Sequence, residues 1–149
     1  MSKQDKDRLL EEQFLCRVAF KGNEYPYIAP FQYAFVDGSL YLHLTDYGTK
    51  MEMLETDNRV CVEIEKYEPD LSNYSFVVLK GKLEIVTDPE ERGRAISRMA
   101  EIGKRRLSVN FLAAHGLNTS EGWSQLSPDK PLIIFKLKDA SQTVGLKSP

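Results

Sequence analysis

The stretch YPYIAPFQYAFVDGSLYLHLT, residues 25–45, contains two alternating apolar segments that meet at Asp37-Gly38. An Asp-Gly pair between two such segments is typical of a two-residue type I′ turn and therefore predicts a β-hairpin. The turn pairs Val36 with Ser39 and thereby sets the register of both strands.

This register assigns the side chains of the hairpin to two faces. One face is bulky and apolar and is expected to enter the core; it consists of Phe31, Tyr33, Phe35, Leu40, Leu42 and Leu44. The other face is mixed and is expected to look outward, towards solvent, a partner or a ligand; it pairs Ala34 with Tyr41, Gln32 with His43 and Pro30 with Thr45. The first strand of the hairpin contains Pro26 and Pro30. These prolines predict that this strand lies at the edge of the sheet, or that some of its backbone groups face no neighbouring strand.

The rest of the chain supplies four further strand-like segments and three helical ones. The strands are predicted over 14–20, 59–67, 74–86 and 131–138, and the helices over 5–13, 49–57 and 88–106. A capping box is predicted at Thr49 with Glu52. Asp88 is predicted to be the N-cap of the third helix, with Pro89 at its first position and Glu91 at N3. Residues 107–130 have only a weak pattern. Six strands without regular β-α alternation predict a mainly β fold, an antiparallel barrel with peripheral helices.

Composition narrows the class of protein. The chain has 149 residues, which favours one domain over residues 1–149, and its net charge of −2 gives no reason to expect a nucleic-acid partner. No apolar run approaches the roughly 18–20 residues that span a membrane, and the charged N-terminus lacks the pattern of a signal peptide. We therefore expect a cytoplasmic protein. Cys16 and Cys61 have no metal or redox spacing, so no metal site is predicted and both thiols are expected to be buried.

A phosphate site is predicted directly after the hairpin. Thr45 ends the outward face, and Gly48, Thr49 and Lys50 lead into the next helix, whose first amide groups and dipole favour an anion. A planar ring lying along residues 29–32 would place a phosphate tail near Lys50. The alternative interpretation is structural: Thr49 caps a helix, Gly48 serves a turn and Lys50 is solvated.

Residues 24–65 resemble the flavin-binding split barrels of the pyridoxamine 5′-phosphate oxidase-like family, in particular its nitroimidazole-resistance branch. The resemblance lies in five features: Tyr-Pro-Tyr (25–27), the proline three residues later (Pro30), the acidic-Gly turn (37–38), Gly-x-Lys (48–50) and NRVCV (58–62). It continues in YSFVVLKGKLEIVTDPEER (74–92). It implies a Greek-key split barrel and a homodimer with FMN at its interface. The implied cofactor contacts are Ala29, Pro30, Phe31 and Gln32 for the ring, Leu44 and Thr45 for the ribityl chain, and Gly48, Thr49 and Lys50 for the phosphate.

The resemblance predicts an FMN-dependent oxidoreductase that uses a reduced nicotinamide donor and a small planar acceptor, nitroaromatic or quinone-like. The segment GWSQLSP (122–128) lacks the arginine of true pyridoxamine phosphate oxidases, which argues against oxidation of vitamin B6. With only two histidines in the chain, haem binding is a minor alternative. A flavin-binding module without turnover and a cofactor-free interaction domain both stay open.

Three further residues carry specific expectations, and two of them, His43 and Trp123, have two interpretations each. His43 is expected either to hydrogen-bond Gln32 across the strands or to act in catalysis, as the resemblance implies, by donating a proton near the usual histidine pKa. His115 is expected to end a helix before Gly116. Trp123 either anchors a loop by packing or covers a flavin bound to the partner chain.

Overall fold

Six antiparallel strands close into a barrel in the computed structural model, which describes residues 1–149. The strands are β1 (Leu15–Phe20), β2 (Tyr27–Val36), β3 (Ser39–Leu44), β4 (Arg59–Tyr67), β5 (Tyr74–Ile85) and β6 (Ile133–Lys147). Their order around the barrel is β1-β2-β3-β6-β5-β4, and β4 pairs with β1 to close it. The predicted mainly β barrel is confirmed, and β6 is longer than expected because its second half continues to pair with β5.

Three α-helices and three short 3₁₀ helices lie around the barrel. The α-helices are α1 (Lys3–Glu12), α2 (Thr49–Thr56) and α3 (Pro89–Arg106). The 3₁₀ helices, Val109–His115, Thr119–Glu121 and Trp123–Gln125, occupy the region whose sequence pattern was weak. None of the helices combines the length and the apolar character needed to cross a membrane.

The hairpin of β2 and β3 forms as predicted around its turn. Asp37 and Gly38 have φ angles of 51° and 77°, as a type I′ turn requires. The register runs from Val36 with Ser39 to Tyr33 with Leu42. The predicted pairs of Gln32 with His43 and Pro30 with Thr45 are wrong, because the ladder between β2 and β3 ends at Tyr33.

Beyond that point β2 pairs with β1 alone. Pro30 lies opposite Arg17 of β1 and has no partner on the β3 side, so this half of β2 is locally an edge. The proline, which has no amide hydrogen to donate, therefore sits where one side of the strand is unpaired. The expectation drawn from the prolines is confirmed for this part of the strand.

The apolar face of the hairpin enters the barrel, as predicted. Leu42 of β3, Val62 of β4 and Leu79 of β5 belong to one buried cluster, together with Phe31, Tyr33, Leu40 and Leu44. Phe35 is partly buried and packs against the same cluster. The alternation of a strand thus places every second hairpin residue in this core.

The other face of the hairpin is covered by α3, contrary to the expectation that it looks outward. Ala34 and Tyr41 lie in a second buried cluster with Ile96 and Met99. The helix begins as predicted, with the Asp88 carboxylate accepting from the Glu91 amide at 2.8 Å. The apolar stripe of α3 required a matching surface, and this face of the hairpin supplies it.

The thiols divide between the two sides of the barrel wall. Cys16 is buried, but Cys61 is exposed, so the expectation that both are buried is wrong for Cys61. Val60 and Val62 point into the barrel, and the residue between them must point out.

Candidate functional site

A cavity of about 290 Å³ lies at the end of β3, between the start of α2 and the 3₁₀ helix Val109–His115. The predicted site residues that line it are Phe31, His43, Leu44, Thr45, Gly48, Thr49 and Lys50. It is also lined by Tyr27, Tyr47, Ala113, Ala114, His115 and Gly116. The structure therefore brings the predicted phosphate residues together with His43.

Three predicted residues do not line this cavity. Ala29 belongs to the barrel core, Pro30 is exposed on the outer side of the wall, and Gln32 is buried. Successive residues of a strand point to opposite sides of a sheet, so residues 29–32 do not form the flat outward surface that was expected. A cofactor contact by Ala29, Pro30 and Gln32 stays a prediction.

The start of α2 forms one end of the cavity. Gly48, not Thr49, is its N-cap, and no side chain caps the helix, so the predicted capping box with Glu52 is wrong. The first helical hydrogen bond runs from the Glu52 amide to the Gly48 carbonyl, which leaves the preceding amides without a partner in the helix. Gly48 has a φ of 98°, a conformation that favours glycine, and the space beside its Cα is open.

Lys50 is the charged residue at this end of the cavity, and it has no carboxylate partner. Its ammonium forms no ion pair with any carboxylate and lies 5.6 Å from the centroid of the Phe31 ring. The two threonines differ. The Thr45 hydroxyl donates to the Tyr47 carbonyl at 3.0 Å, whereas the Thr49 hydroxyl has no partner within the chain. Lys50 and Thr49 are therefore free to contact an anion, and the proton of Thr45 is engaged.

Two buried histidines form the other wall. The Nδ1 atoms of His43 and His115 are 3.2 Å apart, and the rings stack with centroids separated by 5.4 Å. His115 Nε2 lies 2.7 Å from Gln32 Oε1. Gln32 thus contacts His115 and not His43, so the expected bond between Gln32 and His43 is wrong.

Both imidazoles are neutral at neutral pH. Burial lowers the pKa of His43 to about 4. Burial, and then the charge of His43, lower the pKa of His115 to about 4. The expectation that His43 titrates near the usual histidine pKa is therefore wrong, because the side chain is only 7% exposed.

His115 is the site residue that the sequence did not reveal. It ends the 3₁₀ helix before Gly116, which has a φ of 72°, so its predicted position at a helix C-terminus is confirmed. Its burial and its contact with His43 depend on the fold of residues 109–126 over the hairpin. No local sequence pattern indicated this second role, because His43 and Gln32 lie 72 and 83 positions away from His115 in the chain.

Trp123 packs inside its own chain. Its ring lies against Gly103 of α3, where an added Cβ would approach the indole to 2.2 Å, and edge-on to the His115 ring. The side chain is buried in the second cluster. Packing is therefore its role here, and it supports the wall that holds His115.

Comparisons with known proteins agree with this fold. Residues 2–122 match the family model described as pyridoxamine 5′-phosphate oxidase. A search of curated proteins finds no match.

Solved structures from several bacteria are similar to the chain. A FAD-binding protein from Mesorhizobium loti has a TM-score of 0.67 at 20% identity, covering 95% of this chain and 92% of its own. A conserved hypothetical protein from Mycobacterium tuberculosis has a TM-score of 0.72 at 17% identity, with coverages of 99% and 84%. A Bacteroides thetaiotaomicron protein, provisionally described as a 5-nitroimidazole antibiotic resistance protein, has a TM-score of 0.59 at 20% identity, with coverages of 97% and 81%.

Proposed function

Because the chain belongs to the pyridoxamine 5′-phosphate oxidase family, a family of flavin-binding barrels, we propose that it is an FMN-dependent oxidoreductase. It takes electrons from a reduced nicotinamide in the cytoplasm and passes them to a small planar acceptor, nitroaromatic or quinone-like. The observation that carries the proposal is the cavity that joins an unpaired lysine at a helix N-terminus to a buried histidine.

The anion end of the cavity suits the phosphate of FMN. Lys50 would supply a charge-assisted hydrogen bond, Thr49 a hydroxyl donor and the first turn of α2 its free amides. The open space beside Gly48 leaves room for the phosphate oxygens. One unpaired cation matches a terminal monophosphate, which is why FMN and not FAD is proposed. Thr45, whose proton is engaged, would accept from a ribityl hydroxyl and not donate.

The cavity is small for a whole flavin mononucleotide. Its 290 Å³ is at the lower end of ligand pockets, which usually measure about 300–1,000 Å³. The phosphate and ribityl parts would lie among Leu44, Thr45 and Lys50, and the ring would extend past Phe31 towards Pro30. When bound, the flavin supplies the electron chemistry, and the protein orients it and controls its electrostatic surroundings.

His43 would contact the bound flavin or its acceptor from the opposite wall. A neutral imidazole cannot serve as a ready proton donor at neutral pH, so the proposed role is to hydrogen-bond the ligand. The neutral imidazole also favours a second candidate function, flavin binding without turnover. The cavity lining contains no acidic side chain that could supply a proton in its place.

Absorption and turnover of the purified protein test these functions. We expect a yellow protein, or a colourless one that takes up added FMN, and oxidation of NADH or NADPH that accelerates when a nitroaromatic or a quinone is added. Flavin binding without any such oxidation would favour the non-catalytic module. Failure to bind any flavin would contradict both functions. Oxidation of pyridoxamine 5′-phosphate would contradict the proposed substrate class and identify a vitamin B6 substrate.

A homodimer is the second part of the proposal. Tyr47 on the rim of the cavity is 70% exposed, and Ile28 on the open half of β2 is 65% exposed. Ile28, Ala19 and Cys61 are successive cross-strand partners on the outer side of the barrel. A second copy placed on this strip would cover both the strip and the open side of the cavity.

Sedimentation tests the dimer directly. The wild-type protein is expected to sediment as a dimer at micromolar concentration, and Cys61→Arg is expected to shift it to monomer by placing charge in the strip. Leu71→Arg is the matched control, because Leu71 is also exposed but lies outside the strip. A monomeric wild-type protein with flavin bound would contradict the proposal.

A further inference from the structure

Gln32 has only one possible orientation of its amide. Its Nε2 lies 3.0 Å from the Met99 carbonyl of α3, an atom that can only accept a hydrogen bond. The amide nitrogen must therefore face Met99, and the amide oxygen must face His115. The side chain is 2% exposed, so water does not offer an alternative partner to either atom.

This orientation fixes the proton on His115. Gln32 Oε1 can only accept, so His115 Nε2, at 2.7 Å, carries the hydrogen and donates it. Since a neutral imidazole carries one ring proton, His115 Nδ1 holds a lone pair.

The position of the ring proton on His43 can be deduced in the same way. Its Nδ1 lies 3.2 Å from the lone pair on His115 Nδ1, and a stable contact requires a hydrogen between the two atoms. His43 Nδ1 must donate that hydrogen, which leaves the lone pair of His43 on Nε2. The low pKa values of both rings agree with one proton on each.

The free end of this chain of hydrogen bonds opens into the cavity. His43 Nε2 has no hydrogen-bond partner within the protein, yet it is not sealed, since the only sealed side-chain polar atom without a partner is Trp123 Nε1. His43 itself lines the cavity. Bonds aligned in one direction polarise one another, so the chain that ends on the Met99 carbonyl makes Nε2 a better acceptor.

We propose that Gln32 and His115 are positioning residues that hold His43 as its Nδ1–H tautomer, so that the cavity presents an unprotonated Nε2 to its ligand. The group that binds there is a hydrogen-bond donor, an N–H or an O–H, and not an anion or a carbonyl. The cavity thus selects a ligand with an anion at the Lys50 end and a donor at the His43 end. Only the identification of this ligand as a flavin rests on the proposed function.

Nitrogen-15 spectra of the ligand-free protein test the tautomer. The chain contains only two histidines, so the ring resonances can be assigned with His115→Gln alone. At neutral pH we expect His43 to show an unprotonated Nε2 and a protonated Nδ1, and His115 the reverse. A wild-type spectrum with a proton on His43 Nε2, or with both tautomers populated, would overturn the proposal.

A variant tests the positioning role. Gln32→Met removes the acceptor for His115 Nε2, and His43 is then expected to divide between its two tautomers. Met99→Leu is the control: it alters the same buried cluster but keeps the backbone carbonyl that orients Gln32, so the wild-type tautomer should persist. An unchanged His43 spectrum in Gln32→Met would show that Gln32 does not position it.

Addition of FMN separates this inference from the proposed function. Bound FMN should shift the His43 Nε2 resonance in the direction of an accepted hydrogen bond, without protonating it. If FMN binds and the resonance does not shift, the inference that the ligand donates a hydrogen bond to His43 Nε2 is refuted. If FMN does not bind at all, the proposed function fails, whereas the tautomer is still decided by the ligand-free spectrum.

Discussion

Replacement of Lys50 by alanine is expected to weaken FMN binding by about 10- to 100-fold and to leave riboflavin binding unchanged. A hydrogen bond to a charged group contributes about 1.5–3 kcal/mol, which corresponds to that loss of affinity. The wild-type ammonium has no carboxylate partner, so its full charge is available to the phosphate. Fluorescence titration with FMN and riboflavin measures both constants.

Lys104→Ala is the matched control for this prediction. Lys104 is exposed and also lacks an ion pair, but it lies near the end of α3, outside the cavity. Its replacement should leave both affinities within about twofold. Equal loss of FMN and riboflavin affinity in Lys50→Ala would mean that Lys50 acts through packing on Phe31, and an unchanged FMN affinity would remove it from the site.

The barrel itself was predictable because its signals are local. The Asp37-Gly38 turn fixes the register of β2 and β3, and alternation then sorts their side chains between two sides. The start of α3 was predictable for the same reason, since its cap involves residues three apart. In contrast, Thr49 and Glu52 match a capping pattern as well, but Gly48 is the N-cap of α2 and no side chain caps this helix.

The surroundings of the site were less predictable, because distant segments create them. The face with Ala34 and Tyr41 looks unpartnered in the sequence, and only the docking of α3 shows what covers it. His115 and Gln32 are 83 residues apart along the chain, and no local pattern indicates their contact. The grouping of Thr45, Gly48, Thr49 and Lys50 around one end of the cavity was predictable because these residues are close in sequence. Their contact with a cofactor stays a prediction.

The histidine pair also has a consequence for stability. Its members have pKa values of about 4 in the folded protein, against 6.5 for an ordinary histidine. Between these values the unfolded chain binds protons that the folded chain does not, so the free energy of unfolding falls as the pH falls. The histidine contribution is fully present above pH 6.5 and is lost progressively down to about pH 4.

We expect the free energy of unfolding to drop by on the order of 3 kcal/mol between about pH 6.5 and 5, since each histidine contributes a slope of up to about 1.4 kcal/mol per pH unit. Carboxylates do not explain a fall in this window. Asp57, whose pKa is lowered chiefly by Arg59, loses its contribution only below the ordinary aspartate value of 3.8, and Glu63, whose pKa is raised by burial, acts in the opposite direction. Urea unfolding at a series of pH values measures the drop.

The double variant His43→Gln/His115→Gln isolates the effect of the two imidazoles. It contains no histidine, yet it keeps side chains that can hydrogen-bond in the same place. Its free energy of unfolding is expected to be lower than that of the wild type at neutral pH, because the replaced contacts fit less well, but to stay nearly constant from about pH 6.5 to 5. If the double variant shows the same fall as the wild type, the buried pair is not the source of the acid sensitivity. A wild-type protein without any fall would mean that the histidines gain protons in the folded state as easily as in the unfolded one, which requires that water reaches both rings.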